Sequence, residues 1–138
     1  MIERLNLPFP PTTNNLYANR KGGRYTTQRY MTWQRAADGY LLSQKRQIGL
    51  TALDGPYRLS IVLDCRNRVT KAGKRRKIDC DNYCKSISDW LVQRKLVSDD
   101  SFCEGMSVSW GYVGDGLCSV TVLSTSQVAM PENYRGAA

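Results

Sequence analysis

The chain has 138 residues, enough for one domain with a hydrophobic core but too few for two independent ones. Lysine and arginine total 20 against 12 acidic residues, and this charge of +8 favours a partner with a phosphate backbone. The sequence contains no histidine, which excludes histidine-based triads, histidine-ligated metal sites and histidine pH switches. Carboxylates, lysine and thiols remain as the groups that can carry chemistry.

The cysteines indicate a reducing compartment. They are odd in number, lack a CxxC pair and follow no secretory leader, so we expect a cytoplasmic protein in which they are small core residues. Cys80 and Cys84 are four residues apart and could share a metal, but no second cysteine pair lies at ligand spacing, which disfavours zinc. No apolar run approaches the ~20 residues that span a bilayer.

The amino-terminal half predicts a strand, a loop and a helix. Residues 2–7 alternate apolar and polar side chains before a run of prolines, which is typical of a strand. The stretch 12–24 is rich in Asn, Gly and basic residues, so we expect an exposed, mobile loop. Aromatic and apolar residues then recur at helical spacing over about 27–48, and either Thr26 or Thr27 can cap this helix. Its aromatic stripe favours core packing over base stacking.

The middle of the chain predicts a buried strand and a second helix on either side of a basic loop. Residues 57–65 have the β-branched content of a central strand. Seven of the twelve residues in 66–77 are Lys or Arg, so this segment must be a loop. From Asp79 to about Lys95 the apolar residues return at helical spacing, which places Asp79 and Asp81 in a first turn where the helix dipole favours acids.

The carboxyl-terminal part predicts two strands and a tail. After a turn at 96–100, residues 103–113 and 117–123 alternate around a Gly-Asp-Gly turn, and we expect them to pair as antiparallel neighbours. Residues 125–138 are rich in Ser, Pro, Gly and Ala without a period, so a loosely ordered tail should follow a domain formed by residues 1–124. The fold class is therefore α+β, a mixed sheet packed against two main helices.

A cluster of acidic residues stands out in this basic protein. Asp79 and Asp81 flank one residue, and Asp99 and Asp100 return after a single helix and turn. Like-charge repulsion makes such a cluster unfavourable unless a cation lies among the carboxylates. Ligands that are all oxygen favour Mg²⁺, or Mn²⁺ as a substitute, over zinc, and they suit phosphodiester chemistry.

Two polar residues accompany the cluster. Lys85 lies four residues after Asp81, where its ammonium could reach a reacting phosphate or simply pair with Asp81. Asn82 could orient a carboxylate or a water. On spacing alone, these residues could equally be ordinary helix-capping acids, an ion pair and a turn.

The ordered motifs resemble the RusA family of phage and prophage Holliday-junction resolvases. The likeness rests on Leu7-Pro8-Phe9-Pro10-Pro11 with Asn14 and Tyr17, then Asp79-x-Asp81-Asn82-x-x-Lys85, then Asp99-Asp100. By carry-over, the resemblance implies catalytic roles for Asp79, Asp81, Asp100 and Lys85, with Asp79, Asp81 and Asp100 as metal ligands and Asn82 and Asp99 in support. Phe9 stands where the family often has Trp.

The resemblance also implies a function, which we state as an expectation. It is a homodimeric, Mg²⁺-dependent endodeoxyribonuclease that resolves four-way DNA junctions by paired symmetric nicks in recombination and repair. Basic residues in two loops are expected to bind the DNA backbone; they are Arg20, Lys21, Arg24, Arg66, Arg68, Lys71, Lys74, Arg75, Arg76 and Lys77. Two alternatives stay open: a non-catalytic branched-DNA-binding module, and a nuclease that acts on flaps, forks or RNA.

Overall fold

Alternating apolar residues build a mixed β-sheet at the centre of the structure, a computed structural model that describes residues 2–46 and 52–125. Its strands are β1 (Ile2–Leu7), β4 (Tyr57–Asp64), β5 (Cys103–Gly111) and β6 (Cys118–Ser124). A separate hairpin contains β2 (Tyr17–Arg20) and β3 (Gly23–Thr26). The helices are α1 (Gln28–Gln44) and α2 (Cys84–Gln93). This architecture confirms the predicted α+β class with a mixed sheet and two main helices.

The order of strands in the sheet is β1-β6-β4-β5. β4 pairs with β6 antiparallel and with β5 parallel, so β4 is central as its composition predicted. The expectation that the last two strands pair with each other was wrong, because β4 lies between them. The connection over residues 112–117 passes the end of β4, where the Asp64 carboxylate accepts the Gly114 N–H at 2.8 Å.

A bulge in β1 lets its apolar residues share one face. The register with β6 shifts between Ile2 and Leu5, and Arg4 takes a φ of 49° there. The extra residue resets the two-residue alternation, so Ile2, Leu5 and Leu7 are all fully buried. The free edge of β1 is covered by α1, because the Gln44 side chain bonds both backbone groups of Asn6, at 2.7 and 2.9 Å.

The two helices pack on the sheet through aromatic side chains. Tyr30 and Trp33 of α1 are buried, which confirms core packing for this part of the aromatic stripe, whereas Tyr40 is exposed. The Trp33 and Trp90 rings meet edge to face at 6.0 Å, and the Tyr30 hydroxyl donates to the Ser86 carbonyl at 2.7 Å. Thr27 is the N-cap of α1, since its side chain accepts the Tyr30 N–H.

Two predicted boundaries differ from the structure. The segment 12–24 is not a featureless loop but contains a 3₁₀ turn (Thr13–Asn15) and most of the β2–β3 hairpin, which Gly22 and Gly23 turn with φ values of 99° and 134°. The predicted end of the first helix near Ile48 and the predicted tail at 126–138 lie outside the described residues. No described helix has the length and hydropathy to cross a membrane.

Candidate active site

Three short 3₁₀ turns contact α2 and bring distant parts of the chain together. They are Thr13–Asn15, Cys80–Tyr83 and Asp100–Phe102. The Thr13 hydroxyl donates to the Asn82 carbonyl at 3.0 Å, which ties the proline-rich segment to the acidic one. The three motif segments recognised in the sequence therefore surround one helix.

The first acidic pair precedes α2 rather than beginning it. Asp79 is extended, with φ −76° and ψ 138°, and Asp81 lies within the Cys80–Tyr83 turn, whereas the α-helix starts at Cys84. The prediction of a helix from Asp79 to about Lys95 was wrong at both ends, because 3₁₀ bonding replaces the first turn and α2 stops at Gln93. The side chains of Asp79, Asp81 and Asn82 are exposed, so a substrate can reach them.

Lys85 is paired, but not with the acid that the spacing suggested. Its Nζ lies 3.5 Å from Oδ2 of Asp89, one turn further along α2. The same Oδ2 accepts the Tyr17 hydroxyl proton at 2.7 Å. Asp89 and Tyr17 are thus neighbours of the candidate catalytic lysine that sequence reasoning missed. The i,i+4 spacing from Lys85 to Asp89 was the available signal for the first of them.

The second acidic pair carries more negative charge than its surroundings neutralise. A hydrogen bond in which the Asp100 carboxyl donates to Asp99 raises the pKa of Asp100, and burial and the charges of Asp99 and Asp89 act in the same direction, while Lys85 opposes them. Hydrogen bonds from Asp100 and from the Ser101 backbone lower the pKa of Asp99. The two carboxyls therefore influence each other's titration, and Asp100 lies within electrostatic reach of the Lys85–Asp89 pair.

Tyr57 is a further residue near the site that the sequence did not indicate. Its hydroxyl is buried and has no hydrogen-bond partner among the described residues. Burial raises the pKa of Tyr57 to about 12, and the charges of Cys103, Asp100 and Asp99 add to this effect. A buried polar atom without a partner usually meets a water or a ligand, so this hydroxyl is a polar feature beside the second acidic pair.

The donor chemistry of the site fits a hard cation. The candidate ligands Asp79, Asp81 and Asp100 offer only oxygen, and the charge of Asp99 beside Asp100 is one that a cation would offset. Within residues 2–46 and 52–125, however, no three Cys, Asp or Glu side chains are grouped closely enough to hold a metal ion together. The assignment of ligands therefore remains a prediction.

The β2–β3 hairpin presents the first basic surface. The Arg20 guanidinium lies 4.8 Å from the centre of the Tyr25 ring, and that of Arg24 lies 4.1 Å from the centre of the Tyr17 ring. Arg20, Lys21 and Arg24 are exposed, and none has a carboxylate within salt-bridge distance in the part of the chain that the structure describes. Aromatic packing thus orders these cations without neutralising them.

The basic loop at 66–77 is ordered rather than extended into solvent. Val69 and Arg75 form a bridge, and the Arg76 N–H donates to the Arg68 carbonyl at 2.7 Å, so the loop doubles back as a short hairpin. Its base is fixed by the buried Asp64, which accepts the Arg66 N–H at 2.9 Å. Arg66 also pairs with Asp64 at 3.5 Å, whereas the other predicted DNA-binding cations make no salt bridge among the described residues.

A cleft lies next to the segment that carries Asp79 and Asp81. It has a volume of about 440 Å³, with Phe9 and Tyr83 among its apolar walls and Arg29 and Arg76 on its rim. The Phe9 and Tyr83 rings meet at 4.9 Å. Ile78, the residue before Asp79, also lines the cleft. The lining thus combines aromatic rings with two guanidinium groups, which are side chains that can contact the base and the phosphate of a nucleotide.

The cysteines show no clustering for chemistry. Cys84 and Cys118 are buried, as expected of core residues, while Cys65, Cys80 and Cys103 are half-buried, and all are free thiols. Burial raises the pKa of Cys84 to about 11, with smaller effects from Cys80 and Asp81. A thiol with so high a pKa is a poor nucleophile at neutral pH.

Comparison with known proteins identifies the family. The family model described as Endodeoxyribonuclease RusA matches residues 8–122, which include all the motif residues except Leu7, both acidic pairs and both basic surfaces. None of the curated proteins matches the chain significantly. Because the match spans most of the sequence, the chain belongs to the RusA endodeoxyribonuclease family, which confirms the resemblance seen in the motifs.

Proposed function

We propose that this RusA-family endodeoxyribonuclease is Mg²⁺-dependent and resolves four-way DNA junctions by paired symmetric nicks. The observation that carries the proposal is the gathering of the family's separated motif segments around α2, where Thr13 bonds Asn82 and where the charge of Lys85 acts on Asp100. Residues that only stabilise a fold need no exposed carboxylates, yet both acidic pairs are exposed. Their exposure leaves both pairs accessible to a substrate, as a site of chemistry requires.

The carboxylates are assigned to the metal. Asp79, Asp81 and Asp100 would hold Mg²⁺, or Mn²⁺ in its place, with Asp99 in support. Bound there, the cation would supply neutralisation of charge on the scissile phosphate and activation of a water. The oxygen-only donor set and the excess negative charge at Asp99 and Asp100 support this assignment.

Lys85 is assigned to the reacting phosphate. Its side chain is 46% exposed, so the ammonium can donate to a phosphate oxygen beside Asp100 without leaving α2. A cation held where negative charge develops stabilises the transition state more than the ground state. Asn82 is exposed on the adjoining turn, and its side chain is free to orient a carboxylate or a water.

The basic surfaces are assigned to the DNA backbone. The β2–β3 hairpin and the 66–77 loop present cations that lack carboxylate partners in the described part of the chain, and such cations gain most from binding phosphates. The cleft bounded by Arg29 and Arg76 continues this surface toward Asp79. Strand binding and chemistry would then occupy one continuous face.

Symmetric cutting requires two equivalent sites. A homodimer with a twofold axis matches the paired strands of a four-way junction, and each protomer would nick one strand. Light scattering of the purified protein, alone and bound to a junction, measures the number of protomers. A 1:1 complex of a monomer with a junction would contradict paired nicking by a preformed dimer.

The decisive experiment is cleavage of an end-labelled synthetic four-way junction. Linear duplex, flap, fork, single-stranded DNA and RNA serve as alternative substrates, each with Mg²⁺, Mn²⁺ or EDTA. We expect two symmetric nicks in the junction, formed with either metal and absent with EDTA. Preferential cutting of flaps, forks or RNA would instead identify a nuclease with another target.

Matched variants separate chemistry from folding. Asp100→Asn should abolish cutting while junction binding persists, because it removes a proposed ligand and local negative charge. Asp115→Asn makes the same chemical change at an exposed turn residue with a φ of 55°, which Asn also tolerates, and it should cleave normally. If wild type binds junctions tightly but cuts under no metal condition, the enzymatic proposal fails and a non-catalytic binding module remains.

A further inference from the structure

Tyr17 connects the β2–β3 hairpin to the candidate catalytic lysine through one carboxylate. The Tyr17 hydroxyl donates to Oδ2 of Asp89 at 2.7 Å, and the Lys85 ammonium lies 3.5 Å from the same oxygen. Tyr17 and Asp89 are 72 positions apart in the sequence. The contact is therefore a property of the fold and not of local helix geometry.

The pair between Lys85 and Asp89 would not hold the lysine by itself. Exposed i,i+4 ion pairs on helices contribute only about 0.3–0.5 kcal/mol, which leaves a long side chain free to sample other rotamers. Asp89 is different from an ordinary surface acid because its side chain is only 18% exposed, against 46% for Lys85. The Asp89 carboxylate is therefore the less mobile partner, and the Lys85 ammonium is the one that can extend into solvent.

Tyr17 is itself held from two sides. Its ring meets the buried Tyr30 ring edge to face at 5.7 Å, and the Arg24 guanidinium covers it at 4.1 Å. Burial and the hydrogen bond to Asp89 raise the pKa of Tyr17 to about 12, so the hydroxyl keeps its proton and remains a donor. A rigid donor thus fixes the orientation of Asp89 throughout the neutral pH range.

We propose that Tyr17 and Asp89 are positioning residues that hold the Lys85 ammonium in place for the reacting phosphate. The proposal rests on the function proposed above, and it assigns roles to two residues outside the acidic pairs. Without the Tyr17 hydroxyl, Asp89 can rotate and release Lys85. Small displacements of a positioned catalytic group can cost up to about 100-fold in rate.

The test compares single-turnover cleavage of the four-way junction at saturating protein and Mg²⁺ with junction affinity measured in Ca²⁺. Tyr17→Phe removes one hydroxyl and keeps the ring, and we expect a cleavage rate roughly tenfold lower with the dissociation constant within about twofold of wild type. Tyr40→Phe is the matched control, since it removes the hydroxyl of an exposed tyrosine on α1 that lies outside both basic surfaces and both acidic pairs. It should cleave at the wild-type rate.

A double substitution separates positioning from a general structural role. Lys85→Ala should lower the rate further than Tyr17→Phe does, and Tyr17→Phe should have no additional effect in the Lys85→Ala background. Asp89→Asn should behave like Tyr17→Phe, while Asp89→Glu should recover part of the rate. The NMR relaxation of the Lys85 side chain in metal-free protein gives a readout independent of activity, and Tyr17→Phe should make that side chain more mobile.

Three outcomes would overturn the proposal while leaving the proposed function intact. The first is cleavage by Tyr17→Phe at the wild-type rate. The second is a loss of rate on Tyr17→Phe that is as large in the Lys85→Ala background as in wild type. The third is a Tyr17→Phe defect that disappears at Mg²⁺ concentrations above those that saturate wild type, which would make Asp89 a metal ligand instead. If wild type itself cleaves no junction, the proposed function fails, and the positioning role fails with it.

Discussion

Replacing Asp64 by Ala should destabilise the fold because Asp64 is a buried carboxylate with two backbone donors. It accepts the Arg66 N–H at 2.9 Å and the Gly114 N–H at 2.8 Å, and its side chain is 4% exposed. Hydrogen bonds to a charged group contribute about 1.5–3 kcal/mol each, although water can reach part of both exposed segments after substitution. The Arg66 guanidinium, 64% exposed at 3.5 Å, adds little. We expect Asp64→Ala to cost about 2–4 kcal/mol in total.

The effect should depend on pH in a defined direction. Burial acts to raise the pKa of Asp64, but the backbone hydrogen bonds and Arg66 outweigh it and lower the pKa below the ordinary 3.8. Since the folded pKa is the lower one, the stabilisation is present above about pH 4 and is lost as the pH falls through the folded value. Wild type and Asp64→Ala should therefore converge in stability on acidification.

Urea unfolding from pH 7 to pH 3 measures both expectations. Asp54→Ala, the same change at an exposed residue, is the control and should unfold within about 0.5 kcal/mol of wild type. Asp64→Ala should also weaken junction binding, because Asp64 anchors the base of the basic loop. A stability difference under about 1 kcal/mol, or one that stays constant down to pH 3, would refute the reasoning.

Lys71 and Lys74 lie at the exposed tip of the basic loop. Lys71→Gln and Lys74→Gln should each make the negative slope of log association constant against log salt shallower by about 1 for junction binding, measured by fluorescence anisotropy. An unchanged slope would place the tip outside the DNA contact. Trp90→Phe removes the indole donor 2.9 Å from Asp38 and should cost about 1–2 kcal/mol in urea unfolding; a wild-type midpoint would show that water replaces this bond. Burial raises the pKa of Cys84 to about 11, so mass spectrometry should find it alkylated at pH 8 far more slowly when folded than in denaturant, and equal rates would contradict its burial.

Local patterns predicted most of the elements because each depends on neighbours in the sequence. The capping role of Thr27 and the apolar composition of β4 are examples. The β2–β3 hairpin was missed because its strands are short and largely exposed, and they therefore lack an apolar alternation. What orders the hairpin is the packing of Tyr17 against Tyr30, which only the folded chain brings together.

In the candidate site, too, the sequence predicted the local features but not those that depend on tertiary packing. Motif spacing identified the exposed carboxylates and Lys85, but the only partner predicted for this lysine was Asp81, although Asp89 follows it at the same separation. Burial decides between them, since Asp89 is held against the hairpin by Tyr17 whereas Asp81 is exposed on its turn. Sequence spacing carries no information on that burial, because its source lies 72 residues away from Asp89.

Because β4 lies between β5 and β6, we expect an effect that would be absent if β5 and β6 paired directly as a hairpin. A Cβ built on Gly111 of β5 would lie 2.8 Å from Cγ1 of Val62 on the neighbouring β4, too close without a shift. Gly111→Ala should therefore cost about 1–3 kcal/mol in urea unfolding, and Val62→Ala should remove most of that cost in the double variant. Gly105→Ala is the control, because its Cβ would meet only Arg58, at 3.6 Å. Additive effects of Gly111→Ala and Val62→Ala would mean that β5 does not lie beside β4, and the parallel pairing that closes this edge of the sheet would have to be abandoned.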